Sequence, residues 1–172
     1  MSEEAARAWA RIAEAESAAA YAHSAVGPRL SGAERERSLN ELAEHRRQRD
    51  RAGVKQFAAD EVRLIDTYDT VLSDASISDA SRSRAQLFRD HHAAHLSALG
   101  GPPRSEPDES ALPPLPQGQS ASAGYLADLE RSATRVRRDA CTTATDPELV
   151  RVLALICSSE DLHARAWSGG PA

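Results

Sequence analysis

Apolar residues recur at three- and four-residue steps along most of the chain. No segment sustains a two-residue alternation with β-branched enrichment, so the pattern predicts an all-α protein. The clearest stretch runs from Glu148 to Trp167. Leu149, Val152, Leu153, Ile156 and Trp167 form one helical face, and the same stripe passes through Glu160 and His163. A carboxylate and an imidazole three residues apart are thereby expected on a core-facing surface. A first helix is expected over about 2–25, with Ala5, Trp9, Ile12, Glu16, Ala19, His23 and Val26 on one stripe. Gly27 and Pro28 stop it. Ser31 with Glu34 three residues later reads as a capping box for a second helix that turns Leu39 and Leu42 inward. Its charged run, Glu44 to Arg51, reads as a solvated face with intrahelical ion pairs. Gly53 weakens that helix, but no proline or turn cluster breaks it before a third, about 60–73, where Asp69 shares a face with Val62, Ile65 and Leu72. After a Ser/Asp-rich turn, Asp79 or Ser81 is expected to cap a fourth helix, about 79–99. It sets Phe88, His92, His95 and Leu99 at steps of four, three and four, with His91 alongside. A fifth, about 121–143, has Leu126, Leu129, Ala133, Val136 and Ala140 as its seam and Glu130 at the edge. Asp146-Pro147 opens the last helix.

The segment between the fourth and fifth helices, residues 100 to 120, is rich in Pro, Gly and Ser and cannot be helical throughout. Fully extended, about twenty residues reach roughly 60 Å, whereas a twenty-residue helix is about 30 Å long. The connection can therefore carry the chain back along the molecule and leave the fourth and fifth helices parallel, rather than serve as a slack tether between antiparallel ones. Two short-linked hairpins joined by one long crossover make the ferritin-like arrangement of a four-helix bundle. The expected organisation is an N-terminal helical hairpin over 1–57 and a bundle over 58–168, with the crossover at 100–120. A lone helical hairpin buries too little to be stable. Residues 1–57, which would otherwise expose Trp9, Ile12 and Leu39, are expected to pack on the bundle or on a second copy of the chain.

Composition narrows the function. The net charge of −5 argues against nucleic acid and anionic membranes as partners. The acidic N-terminus has no signal-peptide core, and the longest apolar run, Val152 to Cys157, is far too short for a membrane span. The expected location is cytoplasmic. Lys55 is the single lysine among 21 basic residues, a skew typical of GC-rich coding. Cys141 and Cys157 fit no metal or redox spacing. On antiparallel helices they would be offset by roughly 10 Å along the axes, so free thiols are expected. No glycine-rich phosphate loop and no nucleophile setting supports a cofactor-free enzyme.

The candidate chemistry lies in ionisable residues set within apolar stripes. Glu-x-x-His on an inward face is half of the motif with which ferritin-like bundles hold two metal ions. Asp69, His92, His95, Glu130, Glu160 and His163 are the candidate metal ligands, a mixed carboxylate and imidazole set that suits iron or manganese, with zinc a further option. Glu16, Tyr21, Gly27, Leu30, Ser31, Gly32, His45, Arg46 and Asp50 resemble the first half of an actinobacterial ferritin-like family of unknown function. That family reads Glu-His-x-x-x-Tyr-x-Tyr, then Gly, Leu-Ser-Gly and His-Arg-x-Arg-Arg-Asp. This chain departs at Ser17, where the family has His, and at His23, where it has Tyr. Residues 58–168 are similar to a sibling of the same bundle. Its second helix reads Glu-His-x-x-His-Leu against His91, His92, His95 and Leu96, and its last helix ends Glu-x-x-His against Glu160 and His163. The resemblance implies a ferritin-like fold. It also implies a weakened di-iron set, since His91 replaces an expected carboxylate. Two functions are therefore expected to compete. The favoured one is a metal-free bundle that works by self-association or by binding a protein partner. Its alternative is a metal-binding bundle with oxidase or iron-handling chemistry.

Overall fold

A computed structural model describes residues 3–102, 115–116 and 119–169. The helices are α1 (Glu3–Val26), α2 (Gly32–Ser73), α3 (Asp79–Ala98), α4 (Gln119–Thr143) and α5 (Pro147–Ser168), with a 3-10 turn at Gly27–Arg29 between α1 and α2. The described residues contain no strand, and no helix among them is long and apolar enough to cross a membrane.

The second and third expected helices are one. α2 runs unbroken for 42 residues, about 63 Å at 1.5 Å per residue. A single glycine costs a helix only about 1 kcal/mol, and Ala52 and Phe57 on either side of Gly53 are buried. The termini follow local chemistry, with two corrections. Ser31 occupies the N-cap of α2 but makes no side-chain capping bond. At α3 the cap is Ser78, whose hydroxyl accepts from Ser81 N, rather than Asp79 or Ser81. Gly100, at φ +70°, closes the end of α3, donating to Ser97 O at 2.9 Å. Asp146 caps α5 by accepting from Glu148 N and Leu149 N.

Contacts give the running directions. Along α2, His92 of α3 meets Glu61 and Arg82 meets Leu72, so α3 is antiparallel to α2. Along the same helix Glu130 meets Tyr68, Arg137 meets Glu61, and Thr145 in the α4–α5 turn meets Asp50. α4 is thus also antiparallel to α2, and parallel to α3. α5 runs with α2, from Leu149 and Leu153 beside Phe57 to Trp167 beside Tyr68. Leu115 packs at the Tyr68–Phe88 end, whereas Leu99 packs at the Phe57–Leu149 end. The chain between them has returned along the bundle; most of the expected crossover lies outside the described residues.

Two apolar clusters close the ends of this bundle. Tyr68, Val71, Ala85, Phe88, Leu126, Ala127 and Trp167 form one. Phe57, Leu99, Leu149, Leu153 and Ile156 form the other. Between them lies a belt of buried polar side chains. The first half of α2 projects beyond the bundle with α1 against it, joined by Glu16–His45 (2.7 Å) and His23–Ser38 (3.3 Å). Its base meets the bundle, where Asp50 accepts from Thr145 N, Thr145 Oγ1 and Asp146 N, and Ala13 and Ser17 of α1 line a cavity there with Ala140 and Leu149. Ile12 (42% exposed) and Leu39 (51%) stay largely uncovered.

One seam differs from expectation. Val136 faces outward and Arg137, 1% exposed, lies inside. The true seam of α4 is Leu126, Glu130, Ala133, Arg137 and Ala140, two of the five charged, because carboxylates on α2 and α5 receive the guanidinium.

Candidate metal centre

The polar belt draws on all four bundle helices: Glu61 from α2, His92 and His95 from α3, Glu130 and Arg137 from α4, Glu160 and His163 from α5. All but His95 are almost wholly inaccessible. Each continues an apolar stripe on its own helix, so the packing that buries Phe57, Phe88, Leu126 and Ile156 carries these groups inward with them.

His92 is central. Its Nδ1 lies 2.8 Å from Glu61 Oε2 and its Nε2 lies 3.0 Å from Glu130 Oε1. Burial disfavours its charge, but the bonds to Glu130 and Glu61 outweigh that and raise its pKa to about 10. Glu130 also accepts from the Tyr68 hydroxyl at 2.5 Å, and Tyr68 in turn accepts from Trp167 Nε1 at 2.9 Å. Burial opposes ionisation of Glu130 as well, yet His163 and His92 bring it down to about 2. His163 Nδ1 sits 3.3 Å from Glu130 Oε1, and its Nε2 lies 2.9 Å from His91 Nδ1 and 3.2 Å from Ser159 Oγ. Burial pushes the His163 pKa down, which keeps its ring neutral and its lone pair available.

Arg137 is the fixed cation. Its Nη2 donates to Glu61 Oε1 at 3.0 Å, its Nη1 reaches Asp60 at 3.4 Å, and its Nε lies 3.4 Å from Glu160 Oε1. Its guanidinium also stacks over Phe57, 5.4 Å from the ring centre. Glu160 is nevertheless raised to about 8, since burial and the nearby Glu61 and Glu130 charges outweigh Arg137.

Five buried donor atoms make no hydrogen bond: His95 Nδ1, Glu130 Oε2, both oxygens of Glu160, and His163 Nδ1. Such atoms are costly unless something answers them. Two overlapping groups bring ligand atoms within 4.8 Å of one another: Glu61, His92, His95 and Glu160, and His92, Glu130 and His163. The donors present therefore fit a transition-metal ion.

Of the residues picked out from sequence, His92, His95, Glu130, Glu160 and His163 come together. Asp69 does not. It is held by Arg89, Nε to Oδ1 at 2.6 Å, on another side of α2. Glu61 takes the place expected of it. The stripe Phe57, Glu61, Leu64, Tyr68 and Val71, richer in large side chains than the one through Asp69, was the signal for it. Arg137, the arginine the sequence offers to answer Glu160, does lie beside it, although the seam expected for α4 ran through its neighbour Val136. Comparison with family models, with curated proteins and with solved structures gave no match to this chain.

Proposed function

We propose that the chain is a ferritin-like four-helix bundle that binds a first-row transition-metal ion in its core. The observation that carries this reading is the convergence of Glu61, His92, His95, Glu130, Glu160 and His163 from four helices, with five of their buried atoms making no hydrogen bond. The running directions of α2 to α5 support the ferritin-like arrangement. So does the placing of a single Glu on α2 and α4 and of i, i+3 pairs on α3 and α5. His92 stands where that pattern has a carboxylate. Iron or manganese suits a mixed carboxylate and imidazole set, and either ion would bring redox chemistry to the core.

A metal-free reading has one observation in its favour: Arg137 and a protonated His92 balance Glu61 and Glu130 without an ion. In that reading the belt is structural and the projecting hairpin, with Ile12, Val26 and Leu39 uncovered, is the working surface for self-association. Metal analysis of untagged protein after anaerobic loading with Fe(II) or Mn(II) and exhaustive dialysis separates the two. The metal-binding reading expects retained ion that is lost in Glu160→Ala/His163→Ala. Folded wild-type protein that retains none would leave the structural reading.

A further inference from the structure

Within the six-donor belt, the geometry points to a single ion rather than a pair. We infer that one divalent ion is held by His92 Nε2, the Glu130 carboxylate and His163 Nδ1, while Arg137 occupies the charge position of a second ion against Glu61 and Glu160. This inference rests on the metal-binding reading above and specifies its ligands and stoichiometry.

Three observations carry it. First, the two separations from Glu130 fit, and all three donors lie within 4.8 Å of one another. His92 Nε2 is 3.0 Å and His163 Nδ1 is 3.3 Å from Glu130 Oε1. Donors bound to one ion at about 2.0–2.2 Å stand roughly 3 Å apart. Second, both histidines are already oriented as ligands. A metal-bound imidazole donates its other N–H to a carboxylate or another acceptor, which fixes its tautomer. His92 Nδ1 faces Glu61 Oε2 at 2.8 Å, and His163 Nε2 faces His91 Nδ1 at 2.9 Å. His163 Nδ1 and Glu130 Oε2 are among the atoms with no hydrogen bond. Third, the other half of the belt already holds a cation. Arg137 reaches Glu61 at 3.0 Å and Glu160 at 3.4 Å, is 1% exposed, and is held in place by Asp60 and Phe57. A second ion beside Glu61, Glu160 and His95 would have to share those carboxylates with it.

Two histidines and one carboxylate with further positions open form the set used by mononuclear non-haem Fe(II) centres. In this assignment Glu61 is a positioning residue. It holds the His92 ring, Arg137 holds Glu61, and neither touches the ion. His91 does the same for His163 from the solvent side.

Titration of the untagged full chain with Co(II) under argon, followed by calorimetry and by visible absorption, tests this. The expected result is one Co(II) per chain, with Glu130→Gln and His163→Ala each weakening binding by at least about 100-fold. His95→Ala should leave affinity within about 3-fold. Glu61→Gln should weaken binding about 10- to 100-fold, the range for an outer-shell partner, without changing the one-to-one ratio. Arg137→Gln should admit a second ion. Two ions in the wild-type chain, or a single ion lost with His95→Ala and kept with His163→Ala, would overturn this assignment while leaving the metal-binding reading intact. Folded wild-type protein that takes up no Co(II) would overturn both.

Discussion

Asp69 and Glu61 lie eight residues apart on α2 and are both buried, but different cations answer them. Arg89 reaches Asp69 from α3 and is itself 24% exposed, so this pair belongs to the rim of the helix interface. Glu61 is fully inaccessible and answers Arg137 and His92 together. Asp69→Asn should therefore cost about 1 kcal/mol, as a partly exposed ion pair does, and leave metal uptake unchanged. Glu61→Gln takes the nearest carboxylate from Arg137 and one of two from His92 and should cost about 3 kcal/mol, the lower end of the scale for breaking a buried pair. Urea unfolding of the two variants, with metal content measured alongside, checks the contrast. At this scale the sequence was legible wherever an ionisable residue extended a strong apolar stripe, as at Glu160, His163, His92 and His95. It was misleading where two stripes competed. On α2 both the Glu61 and the Asp69 stripes are buried, because α3 and α4 cover different sides. On α4 the apolar Val136 is outside and the charged Arg137 inside, an inversion that only partners on other helices can produce.

The helices show a different balance between local and tertiary control. Their ends were readable because backbone chemistry sets them: Gly27-Pro28 ends α1, Gly100 closes α3, and Asp146-Pro147 opens α5. The continuity of α2 was not decided by its sequence, since Gly53 leaves either outcome open. Packing around Ala52 and Phe57, together with Asp50 binding the α4–α5 turn, settles it. A Cβ at Gly53 would meet Phe57 Cε2 at 3.4 Å, an ordinary contact. Gly53→Ala should therefore raise stability by about 0.5–1 kcal/mol through helix propensity alone. Gly53→Pro removes a helical hydrogen bond at the joint between projecting arm and bundle, and should cost about 3 kcal/mol or more. Denaturant midpoints of the two variants give both signs directly.

For the molecule as a whole, the belt sets the response to pH. His92, raised from 6.5 to about 10, contributes stability that is complete below 6.5 and lost as pH climbs towards 10. Glu160, raised from 4.5 to about 8, has the same sign, and its contribution is lost between 4.5 and 8. Glu130, lowered from 4.5 to about 2, acts in the opposite sense. Its contribution is present above 4.5 and disappears as pH falls towards 2, and the depressed Glu61 follows the same course. His163 and His91, both lowered by burial, add stability as pH rises to 6.5 and oppose the loss at Glu160 there, so metal-free protein should be most stable between about pH 5 and 6.5 and lose melting temperature from 6.5 up to about pH 9. A bound ion needs His92 without its Nε2 proton, so metal binding strengthens as pH rises. Saturating Mn(II) should raise the melting temperature more at pH 8 than at pH 6, and thermal melts with and without the ion measure that gap. The all-helical class and the parallel course of α3 and α4 could be read from periodicity and linker length. The pH response could not, because it depends on distances between residues up to 100 positions apart.

The long connection between α3 and α4 also divides the belt in time. Chains fold as they leave the ribosome, N-terminal parts first, so Glu61, His92 and His95 exist before residues 130 to 163 have been made. Within that first hairpin His92 already lies against Glu61, and within the second Arg137 lies beside Glu160. Glu130 meets His92 only when the two hairpins come together, and neither alone presents the three donors of the inferred centre. In the assignment proposed above, the three donors stand together only once residue 163 has been made, so an ion could be held by the complete chain and not by a nascent or truncated copy.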